Sequence, residues 1–223
     1  MNEIIPALIP QNLKMVNDYF NKVLGSVKKV QLDIIDGEYA PPKTWPFNGN
    51  QFEEMIQFVR GEEKFPLIDE FDFEIDMLTL HPVEYITDFI SIGAKSFVIH
   101  IDSTDHAKEC IEAAKNSGCE VGIGIKPSVD SSLLEQYLPY IDFVQFMGND
   151  RVGYNGVSLD EVLPQKISEF NKRHPSVPIQ VDIGVSKDTV PILRKAGATR
   201  FASESTIFNS EDPRQTIKEL ETL

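Results

Sequence analysis

The chain has 223 residues, enough for one large α/β unit with a sizeable core, and its hydrophobic (41%) and charged (25%) shares are those of a globular protein. Its formal net charge of −14 disfavours non-specific binding to nucleic acid or to an anionic membrane surface. No apolar run approaches the ~20 residues of a membrane span.

Residues 1–10 carry Glu3 and no basic start, so they do not read as a secretory signal. Predicted strands then alternate with predicted helices. Short β-branched apolar runs fall at 3–9, 27–35, 72–78, 95–101, 120–125, 142–147, 179–183 and 199–203. Amphipathic stretches follow each of them, at 12–23, 51–60, 83–92, 107–117, 131–137, 159–173, 187–195 and 213–223. In the fourth helix, Ala107, Cys110, Ile111 and Ala114 recur at i, i+3, i+4 and i+7, and Gly118 stands where a helix stop is expected. Gly93 and Gly197 likewise close helices just before a strand. Several strands are nearly continuous in apolar residues, as in a parallel sheet buried on both faces. Cys110 and Cys119 lack metal-type spacing and read as reduced thiols of a cytoplasmic protein.

Eight such repeats predict either a closed barrel or a doubly wound sheet. The first strand runs into Pro6-Ala7-Leu8-Ile9-Pro10 with no glycine-rich fingerprint, which speaks against a dinucleotide fold. The expectation is therefore an α/β protein with a single (β/α)8 TIM barrel over residues 1–223. The turn-rich stretch 37–50, with Pro41, Pro42, Pro46 and Trp45, reads as a long loop over the active-site face, with Trp45 and Tyr39 packing it as a lid or a subunit contact.

Functional side chains of such barrels gather at the C-terminal strand ends. That rule selects Asp33, Asp36, Asp76, His100, Lys126, Met147 and Asp182. Gln31, Asp33 and Ile35 share one face of the second strand. Asp76 and Asp182 end otherwise apolar strands, where a bare charge is costly and calls for a partner, a cation or a ligand. For each aspartate alone, a helix cap, loop contact or salt bridge explains it as well.

Seven segments resemble the ribulose-phosphate 3-epimerase family. Ile5-Pro6-Ala7-Leu8 resembles its opening P-S-I-L, and Gln31-Leu32-Asp33-Ile34-Ile35-Asp36-Gly37 its H-x-D-x-M-D-G. Phe73-Glu74-Ile75-Asp76-Met77-Leu78, with Pro82 after it, is similar to D-V-H-L-M, and Val98-Ile99-His100 to T-V-H. Met147 followed by Gly153-Tyr154-Asn155-Gly156 resembles the M-S-x-x-P-G-F-G-G-Q loop. Val181-Asp182-Ile183-Gly184-Val185 resembles V-D-G-G-I, and Ser205-Thr206-Ile207-Phe208 resembles G-S-A-I-F. The resemblance implies a ribulose-phosphate-binding barrel, an isomerase of carbohydrate (pentose phosphate) metabolism and a homo-oligomer. Its implied reaction is epimerisation of a ketose phosphate at C3 through an enediolate, with Asp33 and Asp182 as the proton-transfer pair. It also implies a substrate and phosphate site made of Ala7, His100, Met147, Gly153, Tyr154, Asn155, Gly156, Gly184 and Ser205.

The family's divalent-metal site uses two histidines and the two aspartates. Here the histidine positions are Gln31 and Asp76, so the implied set is Gln31, Asp33, Asp76 and Asp182. All of these are oxygen donors, which suits Mg²⁺ or Mn²⁺ better than zinc or iron. The alternative is no cation and at least one protonated carboxyl. Asn155 and Ile183 stand in for family glycines, and Glu204 for the glycine before Ser205, where a carboxylate repels a phosphate unless it points away. Two other readings stay open at this point. One is a Schiff-base aldolase on Lys126 or another sugar-phosphate isomerase; separately, Arg151 reads as a solvated loop arginine or as a substitute phosphate contact. The other is a non-catalytic sugar-phosphate-binding protein that has lost its metal.

Overall fold

The structure is a computed structural model that describes residues 2–223. Eight strands, β1 (Glu3–Leu8), β2 (Lys29–Ile35), β3 (Asp72–Leu78), β4 (Ser96–His100), β5 (Glu120–Ile125), β6 (Phe143–Met147), β7 (Ile179–Asp182) and β8 (Arg200–Ser203), pair in parallel in chain order, and β8 returns to β1 to close a barrel. The helices are α1 (Leu13–Phe20), α2 (Gln51–Val59), α3 (Pro82–Ile92), α4 (Ala107–Asn116), α5 (Leu163–Arg173), α6 (Val190–Ala196), α7 (Ser205–Phe208) and α8 (Pro213–Thr222).

Strand alternation sorts the core into two layers. Val30, Leu32 and Ile34 of β2 face out and join Phe20, Trp45 and Met55 in one large apolar layer between the barrel and its helices. Gln31 and Asp33 of the same strand point the other way, into the barrel. The inside is polar and hydrogen-bonded: the Gln180 amide nitrogen donates to Glu74 Oε1 (2.6 Å) and Gln145 Oε1 (2.7 Å). Each of these side chains is fully buried, so an unpartnered one would be costly. At the N-terminal strand ends the barrel is floored by charge. Arg200 makes a two-pronged contact to Glu120 (2.8 and 3.1 Å), and Lys29 lies 2.5 Å from Glu120 and 3.6 Å from the buried Glu74.

Four local readings are corrected. The stretch 131–137 forms no α-helix: it is a 3₁₀ turn, Ser131–Gln136, followed by a second one, Leu138–Tyr140. Pro139 removes a backbone donor there, and so short a segment cannot recover the cost of helix nucleation. Helix α5 starts at Leu163 rather than 159, because Asp160 turns back to accept the Val162 N–H and residues 159–162 belong to the loop before it. The short helix α7 lies beyond the predicted eight. Trp45 is neither lid nor subunit contact. It is fully buried under the loop, against Phe58, Phe65 and Phe89 of the outer layer. The apolar stripe of α4 is buried as its periodicity requires, and both cysteines are free and buried.

Candidate active site

Register places the acids. Asp33 sits opposite Asp76 across the β2–β3 pair, and Met147 opposite Asp182 across β6–β7. The curvature of the barrel then brings three carboxylates together: one oxygen each from Asp33, Asp76 and Asp182 all lie within 4.8 Å of one another, and all three residues are buried. The chain must turn sharply to hold Asp182 there. Ile183 adopts φ +72°, a conformation rare for a β-branched residue, and its N–H donates to Asp182 Oδ1 at 2.8 Å. Gly148 is the counterpart just past β6: a Cβ there would fall 1.8 Å from the Ile183 carbonyl oxygen.

Each acid has its own support. The Gln31 amide nitrogen donates to Asp33 Oδ1 (2.9 Å). His100 Nε2 lies 2.6 Å from Asp76 Oδ1, and Gln145 donates to Asp76 Oδ2 (2.8 Å). Burial, followed by the charges of Asp182 and Asp76, raises the Asp33 carboxyl well above the usual carboxylate range. Burial and Asp76 push the Asp182 carboxyl up to about 8. Burial and the neighbouring carboxylates thus favour the protonated form of both Asp33 and Asp182 relative to a free carboxyl.

A cavity of about 310 Å³ opens above the pair. Of the residues expected in the site, Ala7, Asp33, Met147, Gly153, Tyr154, Asn155, Gly156, Asp182, Gly184 and Ser205 line it. The others lie elsewhere. The His100 ring is fully buried, bonded to Asp76 and outside the cavity lining, so in this structure it supports an acid. Gln31 also sits below the cavity, with its oxygen accepting from Gln180 (3.2 Å). Asp36 is a loop tie, accepting from the N–H groups of Glu38, Tyr39 and Leu80. Lys126 is 3.0 Å from Asp102 and lies over the Tyr39 ring, outside the cavity lining. Arg151 stacks on Tyr154 at 5.4 Å. Gln145 and Gln180 are absent from the sequence-based selection. Their signal is period two: each stands two residues before Met147 or Asp182, on the same inward face.

Glu204 lines the same cavity, and its charge adds to the upward shift of both Asp33 and Asp182. Oε2 accepts the Ile9 N–H and Oε1 accepts the Asn155 side-chain amide, both at 2.8 Å. Burial raises its pKa, against the pull of those two donors.

The three aspartates fit a hard divalent cation. Gln31 and the Ile183 N–H take one oxygen each of Asp33 and Asp182, and the second oxygen of each has no hydrogen-bond partner among the described residues. A carboxylate raised in the folded state keeps its proton to higher pH than in the unfolded chain, so stability falls as pH rises from about 3.8, where the unfolded carboxyl titrates, toward about 8 for Asp182. A cation competes with that proton. Mg²⁺ or Mn²⁺ is therefore expected to raise the melting temperature more at pH 8 than at pH 6. Melting curves indifferent to either cation at both pH values would count against the site.

The fold and the site together define an α/β-barrel protein with an acid-lined pocket at the C-terminal strand ends. A model of the Ribulose-phosphate 3 epimerase family matches residues 3–208. The chain belongs to that family. Its relatives include the ribulose-phosphate 3-epimerase of Bacillus subtilis, 24% identical over 228 residues, covering 99% of this chain and 98% of that one. The Candida glabrata protein of the same name is 23% identical over 222 residues, with 96% and 89% covered. Among solved structures, 3-hexulose-6-phosphate synthase from Salmonella typhimurium superposes with a TM-score of 0.69 at 18% identity, covering 100% of this chain and 97% of the other. The 3-keto-L-gulonate-6-phosphate decarboxylase from Vibrio cholerae gives 0.71 at 13% identity, with 100% and 97% covered. Among the described residues no helix is long and apolar enough to cross a membrane.

Proposed function

We propose that the chain is a 3-epimerase of ketoses, with Asp33 and Asp182 as the two proton-transfer groups. The observation that carries this is their convergence: two buried carboxyls, raised by burial and by neighbouring carboxylates, meeting at one cavity. The ionised member takes the proton from C3, and the C3–H electron pair moves toward the neighbouring carbonyl to give an enediolate. The protonated member then delivers its proton to the opposite face of C3. Asp76 is held by His100 and Gln145 and keeps the pair's shared proton in place through its charge. A divalent cation bound by Asp33, Asp76 and Asp182 would stabilise the developing oxyanion.

The relatives' name supplies a ketose phosphate as the reference substrate. The Schiff-base reading has no support from the geometry, because Lys126 is paired with Asp102 away from the cavity. The test is C3 deuterium wash-in from heavy water, with ribulose and ribulose 5-phosphate each supplied in the presence of Mg²⁺ or Mn²⁺. Exchange on either sugar is the expected result; folded protein that exchanges neither would overturn the reading.

A further inference from the structure

The cavity that holds Asp33 and Asp182 also carries a third carboxylate, set against an anionic ligand. Glu204 lies in its lining, and its carboxylate already occupies two donors there. Oε2 takes the Ile9 N–H and Oε1 takes the Asn155 amide, each at 2.8 Å. These contacts join three separate segments, the end of β1, the loop after β6 and the end of β8, so the carboxylate is fixed rather than swung aside. Among the described residues the cavity lining holds three carboxylates, Asp33, Asp182 and Glu204, and no lysine, arginine or histidine. The net charge of −14 adds to this adverse field. A phosphate ester carries about −1.5 to −2 charges near neutral pH. To enter here it would displace Glu204 from two hydrogen bonds or accept its repulsion, with no cation to offset either. An ionised carboxylate is an acceptor only, and it matches hydroxyl donors with charge-assisted hydrogen bonds.

We propose that the substrate is an unphosphorylated ketose whose distal end carries a free hydroxyl, and that Glu204 is the specificity-determining residue. This rests on the 3-epimerase reading for the placement of C3 at the aspartates. Glu204 accepts hydrogen bonds from the polyol end and turns away its phosphorylated counterpart.

The test compares ribulose with ribulose 5-phosphate on the wild-type protein, Glu204→Gln and Glu204→Gly, by titration calorimetry and by C3 deuterium exchange at fixed ionic strength. The wild type is expected to favour the free sugar at least about tenfold. Glu204→Gln keeps the size and one acceptor oxygen for the Ile9 N–H while removing the charge, with the Asn155 amide turning to accept from the new NH2, and should lose that preference about tenfold or more. Glu204→Gly, which restores the family residue, should invert it. Thermal melts establish that each variant is folded. A wild type that takes the phosphate ester as well as the free sugar, or a preference unchanged in both variants, overturns the proposal. The two readings fail separately. Exchange on the phosphate ester alone sinks the Glu204 assignment and leaves the aspartate chemistry standing. Binding of the free sugar without exchange sinks the chemistry and leaves the Glu204 assignment.

Discussion

Asp182→Asn is expected to lower C3 exchange by about 10²- to 10⁴-fold while making the protein more stable. The loss follows from the role: an amide neither takes nor returns a proton at C3, and general acid–base groups contribute at that scale. The gain follows from the environment. Three carboxyls meet within 4.8 Å in a buried site, and the Asp182 pKa is pushed up to about 8 by burial and Asp76. Replacing one of them with a neutral isostere relieves that repulsion, by roughly 0.5–2 kcal/mol, in the usual trade of activity for stability. Asp33→Asn should behave the same way, and the double variant should be little slower than either single one, because the pair works as a unit. The stabilisation should be larger at pH 8 than at pH 6. In the wild type, stability is lost across that window because the native chain still holds a proton that the unfolded chain has already shed. Wash-in rates and melting curves on the same samples decide the matter. A variant that retains wild-type exchange would remove Asp182 from the mechanism.

Arg200→Ala is expected to destabilise the protein by up to about 3–5 kcal/mol, because it leaves Lys29 alone to offset the buried Glu74 and Glu120. At roughly 2–4 °C per kcal/mol for a chain of this size, the melting temperature should fall by about 10 °C. Arg200 stacks on Phe143 at 4.2 Å, pairs with Glu120 and lies 3.6 Å from Glu74, which has no exposure of its own. The acid limb should change too. Burial alone would raise Glu120, but Arg200 and Lys29 hold its carboxyl down at about 2. A depressed carboxylate stabilises the fold above its unfolded pKa, and that contribution disappears as pH falls from about 4.5 toward 2. In Arg200→Ala the acid-induced loss should begin from a lower plateau and be shallower. C3 exchange per folded molecule should be unchanged, because the floor lies at the strand ends opposite the cavity. A large drop in exchange with an unchanged melting temperature would contradict this division of labour.

The barrel and its register were legible because they are periodic. The inward faces of β2 and β7 carry their acids two residues after a glutamine, as Gln31 and Asp33 and as Gln180 and Asp182, and alternation alone puts those side chains inside. Contacts that join distant segments were not legible. Glu204 meets the Ile9 N–H across 195 positions of chain, and no local pattern says which way its side chain turns. His100 is the same case. A histidine at a strand end reads equally well as a substrate contact or a packed donor, and the neighbour that decides, Asp76, lies on another strand. Trp45 was misplaced because a proline-rich loop looks like a surface feature, while its indole fills the outer core. The segment after β5 failed for an energetic reason: its apolar spacing permits a helix, but Pro139 stops the segment before it can propagate.

Closure of the sheet has a consequence for the surface. Each of the eight strands is hydrogen-bonded on both sides, so among the described residues no strand is left with a row of unpaired amides. Strand-by-strand recruitment of another chain, the common route to edge-to-edge aggregation, has nowhere to start while the barrel is folded. A second copy could meet this molecule only through side chains of its helices and loops. Its tendency to assemble is thus open to tuning by surface substitution without disturbing the hydrogen-bonded ring that holds the aspartates.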